Sequence, residues 1–340
     1  MHKLKTFLRR MRTMSFRRMA MYADKARADS GRPKLLILVD MFWCVFRYGV
    51  GYLDYLTFGF VHLSAAQRRT YMTMNDNLRL TRTLNDPVKK DLFEDKLAFV
   101  RQFGDYINRG WLDLRTASQE EFAAFLRRFP VVFAKQTDNF GGHGVSRIRA
   151  VDNQDVAALY AELLENRQYL IEQEVVQHIE MNRLCQKSVN TIRVVTLLKD
   201  GEVHVMYALV RMGSGESYVD NISSGGMYAP VQDGVITAPA FCDKTGEYYE
   251  IHPATGTKLV GFEIPMFREG IELVRRAALV VPEVRYVGWD IAISKDGPVI
   301  IEGNTIPSYD MCQNYHHLAE RKIGVKPRFV QVLGKEFYGK

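Results

Sequence analysis

The stretch Gly288–Pro307, GWDIAISKDGPVIIEGNTIP, reads as the core of two strands around a tight turn. Arg285–Ile293 (RYVGWDIAI) and Val299–Glu302 (VIIE) are rich in apolar and β-branched residues, and Lys295-Asp296-Gly297-Pro298 supplies turn chemistry between them. Asp290 lies within the first strand and Glu302 ends the second. Residues two apart on a strand project to the same side, so Glu302 and Asn304 share a face that Asp290 can meet across the turn. Two carboxylates and an amide oxygen make a hard-oxygen set suited to Mg²⁺, with substrate phosphates completing its octahedron. Water-exposed polar strand ends give the same spacing. A carboxylate inside WDIAI is a poor choice for a plain core strand.

Working outward, Thr191–Leu198 (TIRVVTLL), the turn Asp200-Gly201 and Val203–Arg211 (VHVMYALVR) form a second hairpin pattern. Arg193 and Arg211 sit on these strands. Buried arginines need an anionic partner, which a substrate carboxylate, a phosphate or a structural salt bridge would supply. Val219–Ala229 is glycine-rich and polar, and includes Asn221–Gly226 (NISSGG). Phe267–Val281 reads as a helix.

Upstream, Pro130–Lys135 (PVVFAK) is a strand, Gln136–Val145 (QTDNFGGHGV) a glycine loop, and Ser146–Ala150 a return strand. A lysine closing a strand beside Gly141-Gly142-His143-Gly144 has phosphate-cradling logic, although a hairpin turn also uses glycine. Glu120–Phe129 and Asp155–Arg167 read as helices, Tyr169–Gln173 as a strand, and Asn85–Leu114 as a helix and its exit. Antiparallel hairpins mixed with helices predict α+β layers rather than a doubly wound parallel sheet.

The 340 residues are 47% hydrophobic and 25% charged, the composition of a globular protein. The four cysteines form no CxxC pair, which argues against a zinc ribbon or a disulfide framework. Residues 1–34 hold eleven Lys/Arg and two Asp, a charge of +9, whereas the remainder stands at −2. The near-neutral body argues against a nucleic-acid surface. The basic arm has an apolar stripe at helical spacing, which suits either an anionic membrane surface or packing on the body. Leu35–Phe60 is the most apolar region. Asp40, Arg47 and Asp54 interrupt it, so it reads as one or two buried helices rather than a membrane span.

Taken in order, Asp95-Lys96, Phe133-Ala134-Lys135 with GGHGV, YLIEQE (Tyr169–Glu174), SVNTIRVVTL (Ser188–Leu197), Arg211 with DNISSGG, and Gly288–Pro307 resemble the ATP-grasp superfamily. The resemblance runs from about Asp86 to Pro327. It is closest to the sugar-transfer-associated ATP-grasp proteins, with the teichuronopeptide-type group as a near relative. It implies an α+β fold holding a nucleotide between two lobes, here with a helical N-terminal extension. The implied organisation is a basic amphipathic arm over 1–34, a helical region over 35–115, a small lobe with a glycine flap over 116–178, a large lobe with a metal site over 179–330, and a tail over 331–340.

By the same resemblance, Lys96 and Lys135 contact ATP phosphates. Gly141, Gly142, His143 and Gly144 form the flap, with His143 where relatives often carry Lys or Gln. Glu172 and Gln173 belong to the segment that reads adenine. Asp290, Glu302 and Asn304 hold Mg²⁺, and Arg193, Arg211 and Asn221 lie near the γ-phosphate and acceptor. The implied activity is an ATP- and Mg²⁺-dependent carboxylate–amine ligase working through an acyl phosphate, on a cell-surface glycan precursor or an attached amino acid. The alternatives are an ATP-grasp phosphotransferase acting on a hydroxyl and a non-catalytic nucleotide-binding scaffold at a membrane. The expected location is cytoplasmic, with the inner face of the membrane as an alternative through residues 1–34.

Overall fold

A computed structural model describes residues 16–137, 144–153, 155–215 and 225–339. The chain forms two compact units, one built from residues 1–80 with 308–340 and the other from 81–307.

In the first unit, α1 (Phe16–Ser30) buries Met19, Ala23 and Ala26, a stripe of mostly small residues that lets it lie close to α2 (Lys34–Arg47). Gly31 takes the left-handed backbone (φ 70) that ends α1, and its N–H donates to Arg27 O at 2.8 Å. α3 (Tyr52–Thr57) follows. The charges of the apolar region have definite partners. Asp40 accepts two Arg68 hydrogen bonds of 2.7 and 2.6 Å and one from Tyr55 Oη at 2.7 Å. Asp54 accepts from Tyr309 Oη at 2.7 Å, and Arg47 lies 5.6 Å from the Tyr48 ring centroid. The expectation that this region is buried holds for one side only. Ile37, Met41 and Cys44 of α2 are buried, while Leu35, Leu36, Val39, Trp43 and Phe46 are exposed. The reason is periodicity: a helix packed through one stripe leaves the opposite one outward, whatever its composition.

The C-terminal segment completes this unit. Gln313 exchanges hydrogen bonds with Met72 (2.8 and 3.0 Å), Lys326 pairs with Asp76 at 2.9 Å, and Arg79 Nε donates to Phe337 O at 3.1 Å. The expected tail is therefore structured. It comprises the end of the helix Lys326–Leu333 and the 3₁₀ turn Gly334–Tyr338, with Phe337 fully buried.

The second unit holds two antiparallel sheets. The smaller has the order β1 (Trp111–Asp113), β4 (Leu170–Gln173), β2 (Val131–Lys135), β3 (Val145–Arg149). The larger runs β10 (Glu247–Tyr249), β9 (Ala240–Cys242), β7 (Met227–Gln232), β6 (Glu202–Met212), β5 (Thr191–Lys199), β11 (Tyr286–Ser294), β12 (Gly297–Asn304), with β8 (Val235–Ile236) on β7. The α+β expectation is met. The single helix expected within Asn85–Leu114 is instead three short ones, Asp91–Glu94, α4 (Lys96–Gln102) and Gly104–Ile107, followed by β1. Asp95 breaks the run with extended backbone and caps α4 by accepting from Ala98 N at 2.8 Å. Asn108, left-handed at φ 41, ends the last turn.

Behind β11 and β12, Phe93, Phe99 and Phe103 cluster, and Phe93 and Phe103 meet the buried Trp289 edge-on, with ring centroids 4.6–5.9 Å apart. Gly303, paired with Trp289 across the strands, admits this cluster: a Cβ there would stand 2.8 Å from Phe93 and 3.2 Å from Phe99. Gly303→Ala is expected to lower stability by about 1–3 kcal/mol through overpacking. Urea denaturation of the two proteins checks this, and an unchanged midpoint would show that the cluster yields freely.

Candidate functional site

Glu172 is the buried centre of one charge cluster. Its cross-strand partners are Phe133 on β2 and Trp111 on β1. Lys135 stands two residues past Phe133 and Arg109 two before Trp111, so alternation brings all three side chains to one face. The Lys135 ammonium pairs with Glu172 Oε2. Arg109 pairs with Oε1 through Nη2 and donates to it from Nε at 2.9 Å. Arg109 also reaches the larger sheet, donating from Nη1 to Ile300 O at 2.7 Å and from Nη2 to Ile301 O at 3.5 Å. Burial alone would push the Glu172 carboxyl up. The Arg109 and Lys135 charges outweigh it and hold the group at about 2.

A second cluster lies in register across three strands, Glu302 on β12, Asp290 on β11 and Arg193 on β5. Arg193 grips Asp290 through Nε and through Nη2 at 2.8 Å, and Arg211 Nη1 donates to Asp290 Oδ2 at 3.2 Å. Burial pushes Asp290 up, but Arg193 and then Arg211 hold it at about 2. Burial of the carboxyl and the adjacent Asp290 charge push Glu302 up. The residue as a whole nonetheless keeps exposed surface. Asn304 Nδ2 donates to Glu302 Oε1 at 3.3 Å, so these two share a side as their spacing predicts. A bulge beside Asp290 makes Ile301 the extra residue of β12, next to Glu302. Gly288 keeps the way clear for Arg193, whose Cδ would stand 3.3 Å from a Cβ there.

A cleft of about 410 Å³ gathers Lys96, Lys135, Glu172, Glu302 and Asn304, with Phe93 among its apolar walls. This volume is in the range of small-molecule sites. Asp290, Arg193 and Arg211 are not among its lining residues and connect to it through Glu302. Gln173 also lies outside the lining, and its N–H and Oε1 are both taken by Gly110 (2.8 and 3.0 Å). The adenine role that the resemblance gives to Glu172 and Gln173 gains nothing from these contacts: Glu172 serves as counter-ion to two cations, and Gln173 fastens β4 to the chain before β1. Gly144 is left-handed (φ 70), and its O accepts from Gln136 N at 3.1 Å. Gly141, Gly142, His143 and Asn221 lie outside the described residues. Among the described residues no three His, Cys, Asp or Glu side chains gather as a metal-holding group.

Arg109 is the residue that the sequence reading missed. It stands in NRGW, outside every motif, and only the strand pairing of β1 with β4 brings it to Glu172.

Two antiparallel sheets that share a cleft holding two lysines suit an ATP-grasp protein. Over residues 75–323 the sequence matches the family described as sugar-transfer associated ATP-grasp, and the chain belongs to that family. Similar solved structures are distant. D-alanyl-alanine synthetase A from Vibrio cholerae is 13% identical, with 75% of this chain and 66% of that one covered and a TM-score of 0.42. The ATP-grasp ligase PsnB complexed with minimal precursor is 15% identical over 74% of this chain and 64% of that one, with a TM-score of 0.46. N5-carboxyaminoimidazole synthase from Aspergillus clavatus, in complex with ADP, is 13% identical over 63% and 44%, with a TM-score of 0.36. The chain thus spans less than two thirds of the length of these proteins. No curated protein matched the sequence.

A carboxyl held at about 2 against an ordinary 4.5 stabilises the fold fully above 4.5, and the stabilisation is lost as pH falls toward 2. Glu172→Gln is therefore expected to cost about 3 kcal/mol at pH 7, with the gap between variant and wild type closing from pH 4.5 to pH 2. Urea midpoints across that range check it; a gap independent of pH would show that the charge is not what Glu172 contributes.

Proposed function

We propose that the chain is an ATP- and Mg²⁺-dependent carboxylate–amine ligase. The observation that carries this reading is that Lys96 and Lys135 line one cleft together with Glu302 and Asn304 in a chain of the ATP-grasp family. In this reading a substrate carboxylate oxygen attacks the γ-phosphorus of ATP, and ADP leaves. An amine then attacks the acyl phosphate carbon, and phosphate leaves with formation of the amide.

Lys96 and Lys135 hold the phosphates, and the 141–144 glycine segment covers them. Glu302 and Asn304 are the groups that fit Mg²⁺, since both offer oxygen atoms to the cleft. Mg²⁺ supplies charge neutralisation at phosphate oxygens. Asp290 fits a ligand role less well, because both its oxygens already accept from arginine. It orients Arg193 and Arg211 instead. In this reading Arg193 and Arg211, with Asn221, offset charge on the transferred phosphoryl group, a role supported by the family resemblance. The acceptor is a glycan precursor or an attached amino acid, a reading supported by the family's description alone. Residues 1–34 bring the enzyme to the anionic inner face of a membrane, a reading supported by their +9 charge.

Calorimetric titration with a non-hydrolysable ATP analogue is expected to show binding that requires Mg²⁺. Glu302→Gln is expected to lower turnover by about 10²-fold or more, the scale of a lost electrostatic group at a reacting centre, with the fold intact by circular dichroism. Hydroxylamine is expected to trap a hydroxamate when ATP and the correct acid are present. Phosphate recovered on a hydroxyl acceptor would favour the phosphotransferase, and binding without ATP consumption the scaffold.

A further inference from the structure

The outward stripe of α2 is apolar along its length. Leu35, Val39, Trp43 and Phe46, at helical spacings of four, four and three, are 71%, 59%, 57% and 60% exposed, with Leu36 beside them. The only acid of α2, Asp40, turns instead to Arg68 and Tyr55. Cations stand at both ends of the helix. Exposed Arg32 precedes α2, Lys34 begins it and exposed Arg47 ends it. On the neighbouring α1, Arg17, Arg18, Lys25 and Arg27 are exposed, while its two acids are paired, Asp24 with Lys34 and Asp29 with His62. No helix among the described residues is long and apolar enough to cross a membrane. At 1.5 Å per residue, the 14 residues of α2 reach only about 21 Å.

We propose that this face of α2 docks on an anionic lipid bilayer, with the helix lying in the interfacial plane. Leu35, Val39, Trp43 and Phe46 enter the boundary between headgroups and acyl chains, and the flanking Lys and Arg residues meet lipid phosphates. Tryptophan favours that depth, where its ring is apolar and its N–H remains wet. Charge selects this occupant. A second copy would bring the same cationic rim against itself, whereas an anionic surface complements it. The inference rests on the membrane part of the reading above and moves its apolar contact from the arm to α2. It does not depend on the ligase chemistry.

The test uses the full chain with vesicles of phosphatidylcholine alone or mixed with phosphatidylglycerol. Co-sedimentation is expected only with the anionic vesicles, weakening as salt is added. Trp43 is the strongly exposed tryptophan, since Trp111 is half-buried and Trp289 buried. Brominated lipid should therefore quench part of the fluorescence, and Trp43→Phe should abolish that part. The double variant Trp43→Ser/Phe46→Ser, whose thermal midpoint should match wild type, is expected to partition at least about tenfold more weakly, as loss of two large apolar contacts requires. Sedimentation unchanged in the double variant would place the contact in the arm alone and overturn the proposal. So would absence of vesicle binding by the full chain, or a dimer in sedimentation velocity that the double variant dissociates. Vesicle binding without binding of the ATP analogue would reject the ligase reading and leave this one standing.

Discussion

The second unit depends on one enclosed carboxylate. Glu172 sits among β-sheet neighbours where an unpaired charge would cost several kcal/mol, and two cations from different parts of the chain make its burial tolerable. Arg109 does more than neutralise it. Its fork satisfies Glu172 on one side and the carbonyls of Ile300 and Ile301 on the other, so a single planar group joins the smaller sheet to β12 of the larger. Lysine, a point charge with no rigid fork, has no equivalent geometry. Because Glu302 and Asn304 end the same strand β12, this contact also ties their position to the smaller sheet.

The larger sheet solves a related problem. β11 is buried along its whole length and yet carries Asp290. Strand alternation separates the two demands: Trp289 turns to the aromatic cluster, while Asp290 turns to Arg193, Arg211 and Glu302. Burial and the Asp290 charge push Glu302 up, while Arg193 and Arg211 hold Asp290 down and so keep it the charged member of the pair. The result is a polar row of fixed orientation inside an otherwise apolar sheet.

Local patterns were readable where local physics suffices. The hairpin of Gly288–Pro307, the β5–β6 hairpin and the shared side of Glu302 and Asn304 follow from alternation and turn chemistry, and the structure has them. That Arg193 and Arg211 need an anionic partner was also readable. That the partner is Asp290, 97 and 79 residues away, was not, since register between distant strands leaves no local mark. Arg109 was invisible for the same reason. Composition marked Leu35–Phe60 as apolar but could not show which side of α2 the unit would cover. Cysteine and charge counts bounded the class of protein without locating any of these contacts.

The first unit is assembled from two stretches of chain with all of Thr81–Pro307 between them. Met72, Asp76 and Asp54 wait for Gln313, Lys326 and Tyr309. On a ribosome, at about 5–20 residues per second, that wait lasts on the order of ten seconds or more. During this time the contiguous second unit has its whole sequence available, whereas the N-terminal helices lack the segment that closes them. Order of synthesis and order of folding are therefore opposed in this protein: the part made first is completed last, and its apolar helices must be kept from other chains in the interval.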